Sequence, residues 1–359
     1  MLGMLLATTE PMPWFRSLPF TRPALGLALQ GGGAHGAYTW GVLDALLERG
    51  RLRFDAISGT SAGAMNALAV ASGWMRGGAE GAREALDRFW RAVGTQLPFE
   101  QWLVGPTDSP GLAPGLRALM HWTRALSPYQ LNPMGLNPLR EVLAAQIDFD
   151  RLKRSSAPRL FIAATHANSG RLRLFGNAEL SVNAALASAC LPTLHQAVMI
   201  DGEPYWDGGY SANPALFPLV KTGVADLLIV ALSPLSHEHV PMTAEDIRAR
   251  ALEFSFNAGF LREATLLAEA CAEARRSLFG FGRLERRLRG LRTHLIDAHD
   301  DLGALSAETR LIAHLPFLER LRDLGRARAG RWLDEHGAKL GHQASVDLGE
   351  CFAPPRAAA

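Results

Sequence analysis

Phe54–Asp55–Ala56–Ile57–Ser58 runs directly into Gly59–Thr60–Ser61–Ala62–Gly63, followed by Ala64, Met65, Asn66, Ala67, Leu68 and Ala69. The apolar, partly β-branched opening predicts a strand. The Gly-x-Ser-x-Gly centre predicts a sharp turn, and the small residues after it predict a helix. A nucleophile elbow needs this order, because its serine sits on strained backbone with the hydroxyl standing clear of the sheet. Gly59 and Gly63 let strand and helix approach where a Cβ would collide. A helix opening at Ser61 aims its free N–H groups and the positive end of its dipole at the place where negative charge would develop. An ordinary strand-to-helix turn also fits these residues, so the surroundings have to decide.

Upstream, Leu25–Gly26–Leu27–Ala28–Leu29 reads as a buried strand that enters Gln30–Gly31–Gly32–Gly33–Ala34–His35–Gly36. Tyr38, Trp40, Val42, Leu43, Leu46 and Leu47 then recur at helical spacing, and Gly50 closes the helix. Strand, helix, strand, helix is the rhythm of a parallel sheet covered by helices, and it places the chain in the α/β class. The glycine stretch also matches the dinucleotide fingerprint Gly-x-Gly-x-x-Gly. That reading wants an acidic residue at the end of the second strand. Asp55 stands at its start, and the serine elbow holds its end. Consecutive glycines suit equally a set of stacked N–H groups gathered around one oxyanion.

Downstream, a helix is expected from Gly81 to Val93, with Ala85, Leu86, Phe89 and Trp90 inward. Residues 94–138 mix proline and glycine with Trp102, Leu103, Leu112, Leu116, Leu119, Met120, Trp122 and Tyr129. This texture reads as an irregular packed excursion or as a lid that shows apolar surface to lipid. A helix follows Asn137–Pro138, Leu160–Ala164 is a third core strand, and Arg171–Phe175 alternates like a half-exposed one. Ser181 is placed to cap a helix over Val182–Ala189. Val198–Ile200 and Tyr205–Trp206 form a hairpin about Asp201–Gly202, and Leu227–Leu232 is strongly strand-like.

After Leu235 the chain turns helical. Thr243–Asp246 resembles a capping box, an arginine cluster runs from Arg275 to Arg292 beside Leu284, Leu288 and Leu291, and Leu295–Ile296 could be a short strand. The arginine-rich face suits a docked helix with a solvated side, or one lying on an anionic surface. A last helix spans Ala307 to about Leu340, with Leu311, Leu315, Leu318, Leu321 and Trp332 inward. The expected organisation is therefore a leader (1–22), a main α/β domain (23–235) containing the excursion, a helical C-terminal extension (236–350) and a tail (351–359).

The totals narrow the function. The chain has 359 residues, 48% of them hydrophobic and 20% charged, with a net charge of +2. So small a charge gives no reason to expect a nucleic-acid partner. The 3 cysteines (Cys190, Cys271 and Cys351) have neither disulfide nor zinc spacing and suit a reducing, cytoplasmic setting. No segment has the unbroken apolar length of a membrane span, and the leader lacks the basic start of a signal peptide. Contact with a membrane or lipid surface would be peripheral.

A serine nucleophile needs a base. Histidines follow Ser61 at 121, 166, 195, 237, 239, 294, 299, 314, 336 and 342, yet none occupies a glycine-rich strand end. Asp207 does. It follows Tyr205–Trp206, and Gly208–Gly209 turn the chain while leaving the carboxylate accessible. A partly desolvated aspartate can act as a base, although a plain turn aspartate is also common.

Taken together, Gln30–Gly36, Gly59–Gly63, Ala187–Ser188–Ala189–Cys190–Leu191–Pro192 and Asp207–Gly208–Gly209 resemble the patatin-like phospholipase family over about Leu25 to Leu232. The resemblance implies a three-layer α/β/α fold with a mostly parallel sheet, and the tract from about Ser236 looks like the helical extension of some bacterial members. It implies a Ser–Asp dyad of Ser61 and Asp207, and metal- and cofactor-independent hydrolysis of lipid acyl esters through an acyl-enzyme. It implies an oxyanion hole from the N–H groups of Gly31, Gly32 and Gly33, with Ala34 as a further donor. His35, Gly36, Gly59, Gly63, Gly208 and Gly209 would support that site. One departure is His35, which stands where the family carries arginine or lysine. A rival from another class is a lipid-surface or storage-granule binding protein with a vestigial esterase site, favoured by the excursion and the basic helix.

Overall fold

The computed structural model describes residues 24–49, 52–95, 126–155, 158–237, 239–277 and 282–352. The expected leader, the centre of the excursion with Trp102 to Trp122, and the tail from residue 353 lie outside the described residues.

The apolar runs become an 8-stranded mixed sheet. Its strands are β1 (Ala24–Leu29), β2 (Arg53–Thr60), β3 (Arg159–His166), β4 (Leu172–Phe175), β5 (Val198–Ile200), β6 (Glu203–Asp207), β7 (Asp226–Ala231) and β8 (Arg292–Asp297). β3, β2, β1, β7 and β8 lie side by side and parallel. β1 and β7 are buried almost throughout, as parallel strands covered on both faces should be. The hairpin expected around Asp201–Gly202 pairs β5 with β6, and both turn residues adopt positive φ (53° and 82°).

Helices cover both faces. α1 (Gly36–Glu48) and α2 (Ala62–Gly94) follow the glycine loop and the serine turn. α2 is two helices joined at Gly77 and Gly78, where the backbone leaves helical geometry, and the second of them holds the helix expected from Gly81. α3 (Leu139–Gln146) and α4 (Val182–Ser188) come next, and Ser181 Oγ caps α4 by accepting from the Ala184 N–H at 3.1 Å. α5 (Phe217–Thr222) ends in the left-handed Gly223, just before β7.

The C-terminal tract is more than a helical extension. Its expected short strand is β8, which pairs with β7 along its whole length and so belongs to the central sheet. Around β8 lie α6 (Ala244–Arg276), α7 (Arg283–Gly290), α8 (Leu315–His336) and α9 (Leu348–Phe352). The basic helix α7 is docked: Arg287 donates to the Lys221 carbonyl, and Arg289 donates to those of Ala274 and Ser277. α8 buries Leu318, Leu321 and Trp332 as expected and Phe317 besides, whereas Leu315 is half-buried and Leu311 lies before the helix, exposed. α8 crosses α1 almost backbone to backbone. A Cβ on Gly41 would fall 1.9 Å from the Arg322 carbonyl oxygen, and one on Gly325 would fall 2.1 Å from that of Tyr38.

At the opposite end of the sheet from the glycine loop, Asp226 opens β7 with its side chain buried. Arg292 donates to both its oxygens at 2.9 and 2.6 Å, His294 Nε2 lies 3.1 Å from Oδ1, and the Gly341 N–H donates at 3.0 Å. Burial works to raise the pKa of this carboxyl. The hydrogen bonds from His294, Arg292 and Gly341 outweigh it and hold the group well below the usual carboxylate range.

Candidate active site

Three chain segments end at the carboxyl edge of the parallel strands, where ligands bind in open α/β sheets. β1 runs into Gln30 and the glycine loop, which passes through a short 3₁₀ turn (Gly33–His35) into α1. β2 runs into Ser61, whose φ of 53° and ψ of −122° are strained for a residue with a side chain. The third segment is the end of β6.

The sheet register explains why that third segment arrives at the same place. Ala163 of β3 pairs with Thr60 of β2 on one edge and with Leu174 of β4 on the other. The next residue, Ala164, pairs with Arg173 of β4 and with Asp207 of β6. β2 and β6 therefore share one edge of β3, end to end. Thr60 and Asp207 lie opposite consecutive residues of a strand that rises only about 3.3 Å per residue. Ser61, the residue after Thr60, opens α2 at this junction, and its carbonyl accepts from the Met65 N–H at 3.1 Å.

Asp207 is wholly buried. Its Oδ1 accepts from the Gly209 N–H at 2.8 Å, and its Oδ2 has no hydrogen-bond partner of good geometry among the described residues. Burial pushes its pKa up to about 7, against the smaller opposing pull of the Gly209 N–H and the neighbouring Ser61 hydroxyl. Its backbone is fixed on both sides: the Asp207 N–H donates to the Cys190 carbonyl at 2.8 Å, and Thr165 Oγ1 donates to the Asp207 carbonyl at 2.8 Å.

The glycine loop closes against the serine turn. The Gly31 N–H is already engaged, donating to Asn213 Oδ1 at 2.7 Å, so in this arrangement it is not free to act as the expected oxyanion donor. The N–H groups of Gly32, Gly33 and Ala34 have no such acceptor among the described residues. Gly63 abuts the carbonyls of Leu29 and Gln30, Gly59 abuts Gly63, Gly36 abuts Ala62, and Gly208 abuts the Ala163 carbonyl. These glycines work as contact points between elements.

His35 is engaged with the C-terminal tract. Its ring is buried, Nε2 pairs with Thr309 Oγ1 at 2.8 Å, and burial together with the nearby Arg310 charge depresses its pKa to about 3, leaving it neutral. Other histidines are committed elsewhere: His166 to Glu203, His237 to Glu253, and His294 to Asp226.

Several residues at the site carried no assigned role in the sequence reading. Ser188 Oγ, in the small-residue stretch before Pro192, accepts from the Ser61 N–H at 3.0 Å. The buried Gln30 side chain accepts from the N–H groups of Leu232 and Ser233 and donates to the Asn213 carbonyl and to Asn257 Oδ1. One amide thus ties the ends of β1 and β7 to α6. Phe256, one residue before Asn257, covers Gly209 and packs on Tyr210 with ring centroids 4.5 Å apart. The described end of the excursion is held by Gln196 Nε2 donating to the Asn132 carbonyl at 2.7 Å, and it exposes Leu126, Tyr129, Leu131, Met134 and Leu136.

The patatin-like phospholipase family signature aligns with residues 27–220, more than half of the chain, and the protein belongs to that family. Family membership points to a lipid acyl hydrolase with lipid substrates. A comparison with curated proteins finds no match. Among solved structures, VipD from Legionella pneumophila is 15% identical and superimposes with a TM-score of 0.38, over 88% of this chain and 67% of that one. The ExoU–SpcU complex of the Pseudomonas aeruginosa type III secretion system gives 17% identity and a TM-score of 0.27, over 92% and 74%. These superpositions are too loose to add to the assignment. Among the described residues, no helix is long and apolar enough to cross a membrane, and no cluster of three His, Cys, Asp or Glu side chains is arranged to hold a metal ion.

Proposed function

We propose that this protein is a serine lipid acyl hydrolase of the phospholipase A, lysophospholipase or carboxylesterase type, with Ser61 as nucleophile and Asp207 as its base. The observation that carries the reading is the shared edge of β3, where the serine turn and a wholly buried aspartate meet. A carboxylate poised near neutrality suits general-base work at physiological pH.

In this mechanism Asp207 takes the Ser61 hydroxyl proton as Oγ bonds to the ester carbonyl carbon. Negative charge on the carbonyl oxygen is met by the free amides of Gly32, Gly33 and Ala34 and by the N-terminus of α2. Collapse breaks the bond to the leaving oxygen, which takes the proton from Asp207 and departs as the alcohol. Asp207 then deprotonates a water that attacks the acyl-enzyme and releases the fatty acid, with Ser61 reprotonated.

A serine-directed fluorophosphonate and a panel of phospholipids, lysophospholipids, triglycerides and short esters test this on wild type and Ser61→Ala. Labelling and turnover lost together in Ser61→Ala are expected. A folded wild type with neither would overturn the hydrolase reading and leave a lipid-surface binding protein.

A further inference from the structure

The glycine loop has one ionisable side chain, His35, and that ring is neutral and turned into the protein toward Thr309. The full positive charge beside this loop comes from the next residue, Arg310, which lies far away in sequence within the C-terminal tract. The contact is made by backbone: the Arg310 carbonyl oxygen stands 2.2 Å from where a Cβ on Gly33 would be, and its own Cβ is 3.5 Å from that point. Gly33, at φ +59°, is the exposed member of the loop, so Arg310 sits over its outer rim.

The guanidinium is held but not neutralised at close range. Its Nη2 lies 3.8 Å from Glu253 Oε2, while His237 Nε2 claims Glu253 Oε1 at 2.6 Å. Glu253 is one turn of α6 before Phe256 and Asn257, the residues that touch Gly209 and Gln30. Arg310 thus lies against the glycine loop and pairs with the turn of α6 that precedes Phe256, with its side chain 27% exposed. A cation held beside the rim of the glycine loop suits an anionic group that the substrate carries next to its ester.

We propose that Arg310 is a specificity-determining residue that binds an anionic, phosphate-type group on the alcohol side of the acyl ester, and that Glu253 holds it in place until that group displaces the carboxylate. The inference rests on the hydrolase reading of Ser61 and Asp207. A guanidinium offers paired donors to phosphate oxygens that a glutamate contact at 3.8 Å leaves unused. The reacting centre would then take neutral and anionic esters alike, and Arg310 would rank them.

The test compares a monoacylglycerol phosphate with the monoacylglycerol of the same chain, using full-length wild type, Arg310→Gln, Arg310→Lys and Glu253→Gln. Arg310→Gln should lower the anionic-to-neutral ratio of kcat/KM by about tenfold, as loss of a hydrogen bond to a charged group does, with the change in KM of the anionic ester. Arg310→Lys should restore part of it, and Glu253→Gln, which frees the guanidinium, should raise the ratio. An equal fall for both esters would mark Arg310 as structural, and an unchanged ratio in Arg310→Gln and Glu253→Gln would also overturn the inference. Should Arg310→Gln fail to fold, Glu253→Gln decides alone. Turnover of neither ester by wild type would overturn the hydrolase reading and this inference with it, whereas wild-type turnover with an unmoved ratio sinks only the role of Arg310.

Discussion

A Cβ on Gly31 would come within 2.8 Å of the Cβ of Ser61 and 2.7 Å of the Thr60 carbonyl oxygen. The glycine loop and the serine turn are thus in backbone contact, and the smallest possible side chain would push them apart. Gly31→Ala should fold with a loss of about 1–3 kcal/mol, the usual cost of overpacking. Esterase activity should fall about 10²-fold or more, because small misplacements at a reacting centre cost that much. Thermal melting and kcat/KM on one short-chain ester check both halves.

Ser61 itself holds strained backbone, with positive φ on a residue that carries a Cβ. Ser61→Gly should therefore abolish turnover while raising stability by about 1 kcal/mol, the strain that a left-handed non-glycine residue stores. Equal or lower melting temperature in Ser61→Gly would show that the turn is relaxed.

Asp207 makes an opposite and pH-dependent contribution. Unfolded, its carboxyl ionises near 3.8; folded, it does so at about 7. Between these values the native state holds a proton that the unfolded chain has lost, so this group's contribution to stability falls as pH rises through the window. Asp207→Asn cannot ionise and should melt above wild type at and beyond about pH 7, with the gap closing below about pH 4. Activity runs the other way: wild-type kcat/KM should climb as pH passes through about 7, and Asp207→Asn should be inactive throughout.

Asp226 shows the reverse sign. Its folded pKa is depressed, so the stability it contributes is present above the ordinary carboxylate pKa and is lost as pH falls toward the folded value. Asp226→Asn should lower stability at neutral pH by about 3–5 kcal/mol, because it leaves the charge of Arg292 partly buried without its partner. The deficit against wild type should shrink in acid, which a melting series over pH would read.

Gly325→Ala should weaken the α1–α8 crossing, since its Cβ meets the Tyr38 carbonyl with no room to rotate away. A loss of at least about 1–3 kcal/mol is expected in denaturant melts.

Local pattern made much of the fold legible. β1, β2, β3 and β7 stand where apolar runs predicted them, and the Asp201–Gly202 turn was readable because few residue pairs tolerate its backbone. The second helix of α2 was legible from the spacing of Ala85, Leu86, Phe89 and Trp90, whereas the non-helical backbone at Gly77 and Gly78 that sets it against the first was not. Contacts between distant segments had no local signature. Nothing near Gly31 indicates that Asn213 takes its N–H, and nothing near Ser61 indicates that Ser188 does so. Phe256 lies in the helical tract outside the resemblance, where no motif marks it. Only the packing of α6 shows it lying over Gly209. His35 was legible as a departure, but the neutral state of its ring follows from burial by the C-terminal tract.

The recognisable family signature ends at residue 220, yet the pairing of β7 with β8 is made entirely beyond it. A fragment cut where kinship fades would keep every diagnostic letter and bare an apolar strand edge, an invitation to self-association. Ancestry and cooperative folding draw different borders on this chain, and a gene trimmed to the first border would be expected to yield aggregate in place of enzyme.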